Sequence, residues 1–125
     1  MLSLAFMAPI FERIGFLHGR IGSPGCMQVT IGDDPAARPA QAHGTVDFLA
    51  HFKELWTRSR GGFLRHAGQG DVLIFAPELL AGTYYYARKF PDAHGDLVEE
   101  SDRYQQALLY LRIAQECFTT ARSTA

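Results

Sequence analysis

Two residues able to ligate a metal or carry a proton, His18 and Glu78, stand where apolar runs end. The first run is Ile14-Gly15-Phe16-Leu17, closed by His18-Gly19-Arg20. The second is Val72-Leu73-Ile74-Phe75-Ala76, leading through Pro77 into Glu78. An imidazole nitrogen ligates divalent cations. A carboxylate does the same or moves a proton. Arg20 follows His18 by two residues, which puts both on one side of an extended strand. Its planar fork of donors suits an anionic or polyhydroxy ligand. Spacing alone favours a plainer reading of the first run, a buried histidine satisfied by backbone beside a solvent-facing arginine. Glu78 alone reads equally as the first solvated residue after a buried strand. The pair says more than either member, because adjacent parallel strands would bring both tips within reach of one ion. One His and one Glu remain an incomplete set, since catalytic divalent sites mostly use three or more protein ligands.

The elements that must position this pair follow from periodicity. Residues 13–20 read as a strand, with Gly15 and Gly19 allowing close backbone approach. Residues 21–44 read as a long loop punctuated by Gly, Pro and Asp, a length that points to function or disorder. A helix is expected over 45–59, with Thr45 as N-cap and Asp47 in the first turn. Leu49, Phe52 and Trp56, joined by Phe48 and Leu55, supply its apolar stripe. Gly61-Gly62 should break it, followed by one more turn over 63–67. Residues 72–76 form a continuous apolar run, as in parallel strands buried on both faces. A second loop is expected over 81–97, then a helix over 99–121 with the stripe Tyr104, Leu108, Leu111 and Phe118, and Ala107, Ala114 and Cys117 beside it. Residues 2–11 read as a short buried segment of either type. The order β-α-β puts the chemistry at the strand tips, where α/β sheets bind ligands.

Composition narrows the function classes. With 125 residues, 47% hydrophobic and 20% charged, the chain reads as one globular, soluble domain. Lys+Arg 12 against Asp+Glu 13 leaves a net charge of -1, so no basic field exists to hold a nucleic acid. The apolar N-terminus lacks a basic flank and is too short to span a bilayer, so neither a signal peptide nor a membrane anchor is expected. Cys26 and Cys117 are far apart and outside any C-x-x-C pair, which reads as reduced thiols in the cytoplasm, with a single disulfide left open.

Other candidates are weaker. His94-Gly95-Asp96 is a commonplace triplet and reads as loop. His43, His51 and His66 share no helical face with acids. Arg58, Arg60 and Arg65 could touch phosphate, but cations are favoured near a helix C-terminus in any case. Tyr84, Tyr85 and Tyr86 could stack on a sugar ring or simply cover apolar surface. No P-loop, G-x-G-x-x-G, G-x-S-x-G or H-E-x-x-H is present.

The stretch from Gly15 to Gly22 with Pro24-Gly25-Cys26-Met27-Gln28-Val29 resembles the penultimate strand and loop of sugar phosphate isomerase/epimerase proteins. These have the xylose-isomerase-like TIM barrel. The helix with Phe52 and Trp56, the strand ending Phe75-Ala76-Pro77-Glu78 and the helix with Tyr104 and Leu108 are similar too, so the likeness covers residues 13–121. The resemblance implies a fold, the last two β-α units of a (β/α) barrel, with residues 1–125 as a single domain. It implies that His18 is a metal ligand and Glu78 both a ligand and the acid/base. Arg20 and Gln28 would contact a small carbohydrate. A divalent ion, manganese or magnesium, would polarise the substrate while carboxylates exchange a proton through an enediolate. A whole barrel takes about 200 residues or more. The resemblance therefore implies a C-terminal part with half a metal site, little activity alone, and either a missing N-terminal portion or an oligomer. Two alternatives stand beside it. One is a non-catalytic module that completes its sheet by oligomerising or docking on a partner. The other is an independent α/β domain that puts the same pair to different use.

Overall fold

The computed structural model describes residues 3–32, 47–80 and 87–124, so His43, Thr45, Tyr84, Tyr85 and Tyr86 lie outside it. The first apolar run becomes β1 (Phe16–Gly19) and the second β2 (Ile74–Pro77). They pair in parallel, Phe16 with Ile74, Leu17 with Phe75, His18 with Ala76 and Gly19 with Pro77. The bond from Glu78 N to Gly19 O, 2.8 Å, carries the ladder one step further. Both strands are shorter than the expected 13–20 and 72–76. Of the two glycines in the first run, only Gly19 is needed for close approach. A Cβ there would fall 2.0 Å from the Phe75 ring, whereas one at Gly15 would meet nothing.

One face of this pair is covered by two long helices. α1 (Ala8–Phe11) is a single turn that follows a 3-10 turn, Ala5–Met7. α2 (Phe48–His66) starts at an Asp47 cap, whose carboxylate accepts from Ala50 N at 2.9 Å. The cap is therefore Asp47, with the helix entered two residues later than Thr45 would place it. Gly61-Gly62 does not break α2, which runs on to His66. Gly62 serves packing instead. A Cβ at Gly62 would lie 1.9 Å from the Phe11 carbonyl oxygen, so α1 rests directly on α2 backbone. The helical pattern on both sides outweighs the propensity cost of two glycines, about 1 kcal/mol each.

The span expected as a second loop holds an antiparallel hairpin, β3 (Lys89–Pro91) with β4 (Leu97–Glu99). Asp92 Oδ1 accepts from His94 N at 2.8 Å and Asp96 N at 3.0 Å, so His94 and Asp96 belong to its turn. α3 (Arg103–Thr124) therefore starts four residues late, just after Asp102, whose Oδ1 accepts from Gln105 N at 2.8 Å.

α3 also turns a different face inward. Tyr110, Ile113, Ala114, Cys117 and Ala121 are buried, while Tyr104, Leu108 and Leu111 are exposed. The two stripes are centred roughly 120° apart at 100° per residue. Tyr110, Ile113, Ala114 and Cys117 share one core with Trp56 of α2, and Leu108 and Leu111 are left outside. Trp56 sits edge-on to Phe75 at 5.0 Å and tilted against Tyr110 at 6.0 Å. Ile21, Val29 and Ile31 complete this core, so the segment after β1 is a packed part of the fold. The architecture is mixed α/β, with helices on one side of a two-stranded parallel sheet. Among the described residues no helix is long and apolar enough to cross a membrane. Cys26 and Cys117 are both free thiols.

Candidate metal and proton-transfer site at the sheet rim

Alternation along β1 decides which side chains meet. Leu17 and Gly19 point to the helices, and Phe16 and His18 point to the opposite, open face. His18 therefore leaves the sheet beside Glu78, which follows the last residue of β2. His18 Nδ1 lies 3.4 Å from Glu78 Oε2. Arg20 Nη2 lies 2.6 Å from Glu78 Oε1, and its Nε donates to the Glu78 backbone oxygen at 3.3 Å. The guanidinium thus fixes both the carboxylate and its peptide. That geometry leaves Oε2 as the oxygen turned toward the imidazole. The His18 side chain is 60% exposed and that of Arg20 only 19%. The Phe16 ring packs on the imidazole at 4.8 Å.

The separation of Nδ1 and Oε2 can be tested against a shared ion. With metal–ligand bonds of about 2.1 Å, two ligands lie about 3.4 Å apart on a tetrahedral ion and about 3.0 Å apart as neighbours on an octahedral one. The observed 3.4 Å fits one edge of either polyhedron after small adjustment. Among the described residues no third His, Cys, Asp or Glu joins the pair. The two side chains could supply two donors to a divalent ion, fewer than such an ion needs.

Gln28 sits apart from this cluster. It is 4% exposed, its Oε1 accepts from Leu80 N at 2.7 Å, and its Nε2 donates to Leu80 O at 3.3 Å. Both ends of the amide are spent on one peptide. A substrate contact would have to break that clamp, so the structure gives Gln28 the work of holding the backbone just after Glu78. Arg20, expected to meet substrate, has its guanidinium on Glu78 and positions it.

Three further residues, not singled out from the sequence, hold the rim. Tyr110 OH accepts from Ile21 N at 3.2 Å and faces Val29 O at 3.5 Å, tying the two arms of the segment that begins at Arg20. Burial pushes the Tyr110 phenol up to about 12. Gln106, one helical turn before Tyr110, takes the Ile31 peptide at both ends, at 2.9 Å and 2.8 Å. Ser101 pairs with Thr30 at 2.8 Å. The available signal was the i, i+4 spacing of Gln106 and Tyr110 on one face of α3. No protein-family profile matches the chain, and searches of curated proteins and of solved structures return no match.

Proposed function

We propose that this chain supplies half of a divalent-metal site for proton transfer on a small carbohydrate, the chemistry of sugar phosphate isomerases and epimerases. In this reading the two β-α units belong to a xylose-isomerase-like barrel acting in the cytoplasm. The observation that carries it is the pairing of His18 Nδ1 and Glu78 Oε2 at 3.4 Å on one parallel rim. Helices cover the opposite sheet face, as in a barrel wall. His18 and Glu78 would hold manganese or magnesium. Such an ion, when bound, polarises a carbonyl and its neighbouring hydroxyl. The chain's own contribution is positional. Arg20 anchors Glu78 Oε1 and leaves Oε2 to ligate or to take a proton from the carbon beside the carbonyl. Gln28 holds Leu80 and so fixes where Glu78 leaves the sheet. A second carboxylate is needed to return the proton and is not found beside the pair among the described residues. Ligand binding without turnover is the expectation for the chain by itself.

The second reading, a non-catalytic assembly module, is favoured by the exposed apolar side chains Phe16, Val72 and Ile74 on the open sheet face. Titration with manganese tests the first. At tenfold excess over Kd, binding adds about 1.4 kcal/mol, which for a domain of this size raises Tm by on the order of 5 °C. His18→Ala and Glu78→Gln should abolish the shift. No shift in the wild-type chain refutes the metal reading.

A further inference from the structure

Two buried polar atoms without a hydrogen-bond partner, Ser23 Oγ and His51 Nδ1, belong to residues that line one cleft. The cleft holds about 290 Å³ and lies between residues 22–24 and the N-terminal end of α2. Two backbone hydrogen bonds between Ser23 and Cys26, at 2.7 Å and 3.1 Å, close the first wall into a tight turn. A Cβ at Gly22 would fall 2.8 Å from the Met27 carbonyl oxygen, so this wall is also packed on backbone. Pro24, Phe48 and Phe52 supply apolar surface. The His51 and Phe52 rings stand edge-to-face at 5.8 Å.

We infer that this cleft binds a small planar ring carrying a hydroxyl or amide group on its edge. Burying a hydroxyl and an imidazole nitrogen without partners costs free energy, and native folds leave few such atoms unmet. Two of them in one cleft, among apolar side chains, match the make-up of a ligand pocket, where apolar walls surround a few polar groups that fix orientation. The volume stands at the small end of such pockets and takes a single ring rather than an extended cofactor. Phenylalanine and proline side chains pack well on a flat ring. The serine hydroxyl donates or accepts, and Nδ1 of a neutral imidazole does either according to tautomer. One hydroxyl or amide on the ligand edge can therefore meet both. No hydrogen bond among the described residues fixes either rotor, so rotation about χ1 of Ser23 and χ2 of His51 can turn both atoms toward a ring in the cleft. The inference is independent of the metal reading, since none of the lining residues belongs to the rim pair.

The probes are p-cresol and toluene, which differ only in one hydroxyl. The whole chain is titrated with each and followed by two-dimensional NMR, comparing wild type, Ser23→Ala and His51→Phe, and Tm is measured without ligand. Wild type should bind p-cresol saturably, with shifts centred on residues 22–24 and 48–52, and at least about fivefold more tightly than toluene. Each variant should lose that preference. Both variants should also match or exceed the wild-type Tm, because taking away an unpartnered buried polar atom takes away its desolvation cost. No saturable binding of p-cresol overturns the inference, as does equal affinity of wild type for the two probes. A lower Tm in either variant overturns it too, because the polar atom would then serve the fold. None of these outcomes bears on manganese binding at His18 and Glu78.

Discussion

Tyr110→Phe is the substitution that tests most directly how the rim is held. The phenol is fully buried, accepts from Ile21 N at 3.2 Å and faces Val29 O at 3.5 Å. Phenylalanine fills nearly the same space but leaves the Ile21 N–H buried without that acceptor. An orphaned buried donor costs about 1–3 kcal/mol, so Tyr110→Phe should lose about 1–2 kcal/mol at pH 7. The effect should invert at high pH. Burial raises the phenol from its ordinary 10.0 to about 12. The unfolded chain therefore gives up this proton above pH 10 while the folded chain keeps it until about 12. Stability from the neutral phenol is fully present below pH 10 and falls as pH rises between those values. Two units at 1.36 kcal/mol each make the loss about 2–3 kcal/mol. The advantage of wild type over Tyr110→Phe should shrink above pH 10 and vanish or reverse near pH 12. Urea unfolding followed by far-UV circular dichroism, at closely spaced pH values from 7 to 11.5, measures the gap. A gap that stays constant across this range, or is absent at pH 7, refutes the reasoning.

Two further predictions concern the packing of the N-terminal turn. Gly61→Ala and Gly62→Ala should act in opposite directions. A Cβ at Gly61 meets only Arg65 Nη1 at 3.5 Å, so the variant should gain about 1 kcal/mol of helix propensity. At Gly62 the Cβ would fall 1.9 Å from the Phe11 carbonyl, so overpacking of about 1–3 kcal/mol should outweigh that gain. Urea midpoints decide it, and a shared sign sinks the argument. Glu12 hydrogen-bonds to Arg65 and, at 2.5 Å, to His66, contacts that hold its carboxyl down to about 2, with Arg65 the larger cause. Its contribution is present above pH 4.5 and is lost as pH falls toward 2. Glu12→Gln should be less stable than wild type near neutrality by a gap that closes over that acidic interval, measured by acid unfolding. A gap unchanged down to pH 2 would show that the carboxylate contributes nothing through its charge.

What the sequence made legible was local. Apolar continuity revealed both strands of the parallel pair, and period-2 alternation put His18 and Arg20 on one side. Two continuous apolar runs on either side of a helix left little choice but a parallel pair with both tips at one rim. The failures share a cause, which is that the deciding partner lies elsewhere in the chain. Gly61-Gly62 looks like a helix stop until Phe11 is seen resting on it. The α3 stripe was read from its largest apolar residues, yet the inward face is the one that packs with Trp56. The hairpin hid behind Asp92 and Gly95, whose turn chemistry was present, with Gly95 at φ 86°. Its two strands are only three residues each, too short for alternation to register.

The same distinction explains why the candidate site was half readable. His18 and Glu78 are placed by strand periodicity, which one sequence displays. Arg20 and Gln28 are polar residues near a strand tip, and residue type alone made both plausible ligand contacts. Their actual partners, the Glu78 carboxylate and the Leu80 peptide, lie 58 and 52 residues away. Arg20 spends its Nε and Nη2 donors on Glu78 and so holds that residue in place. Gln28 is likewise bonded at both ends of its amide to the Leu80 backbone. The rim therefore separates its tasks. The more exposed pair, His18 and Glu78, faces solvent, and the more buried pair keeps the β2 exit from drifting. A ligand at this rim would meet the imidazole and the Glu78 carboxylate first, since both are more exposed than the Arg20 guanidinium.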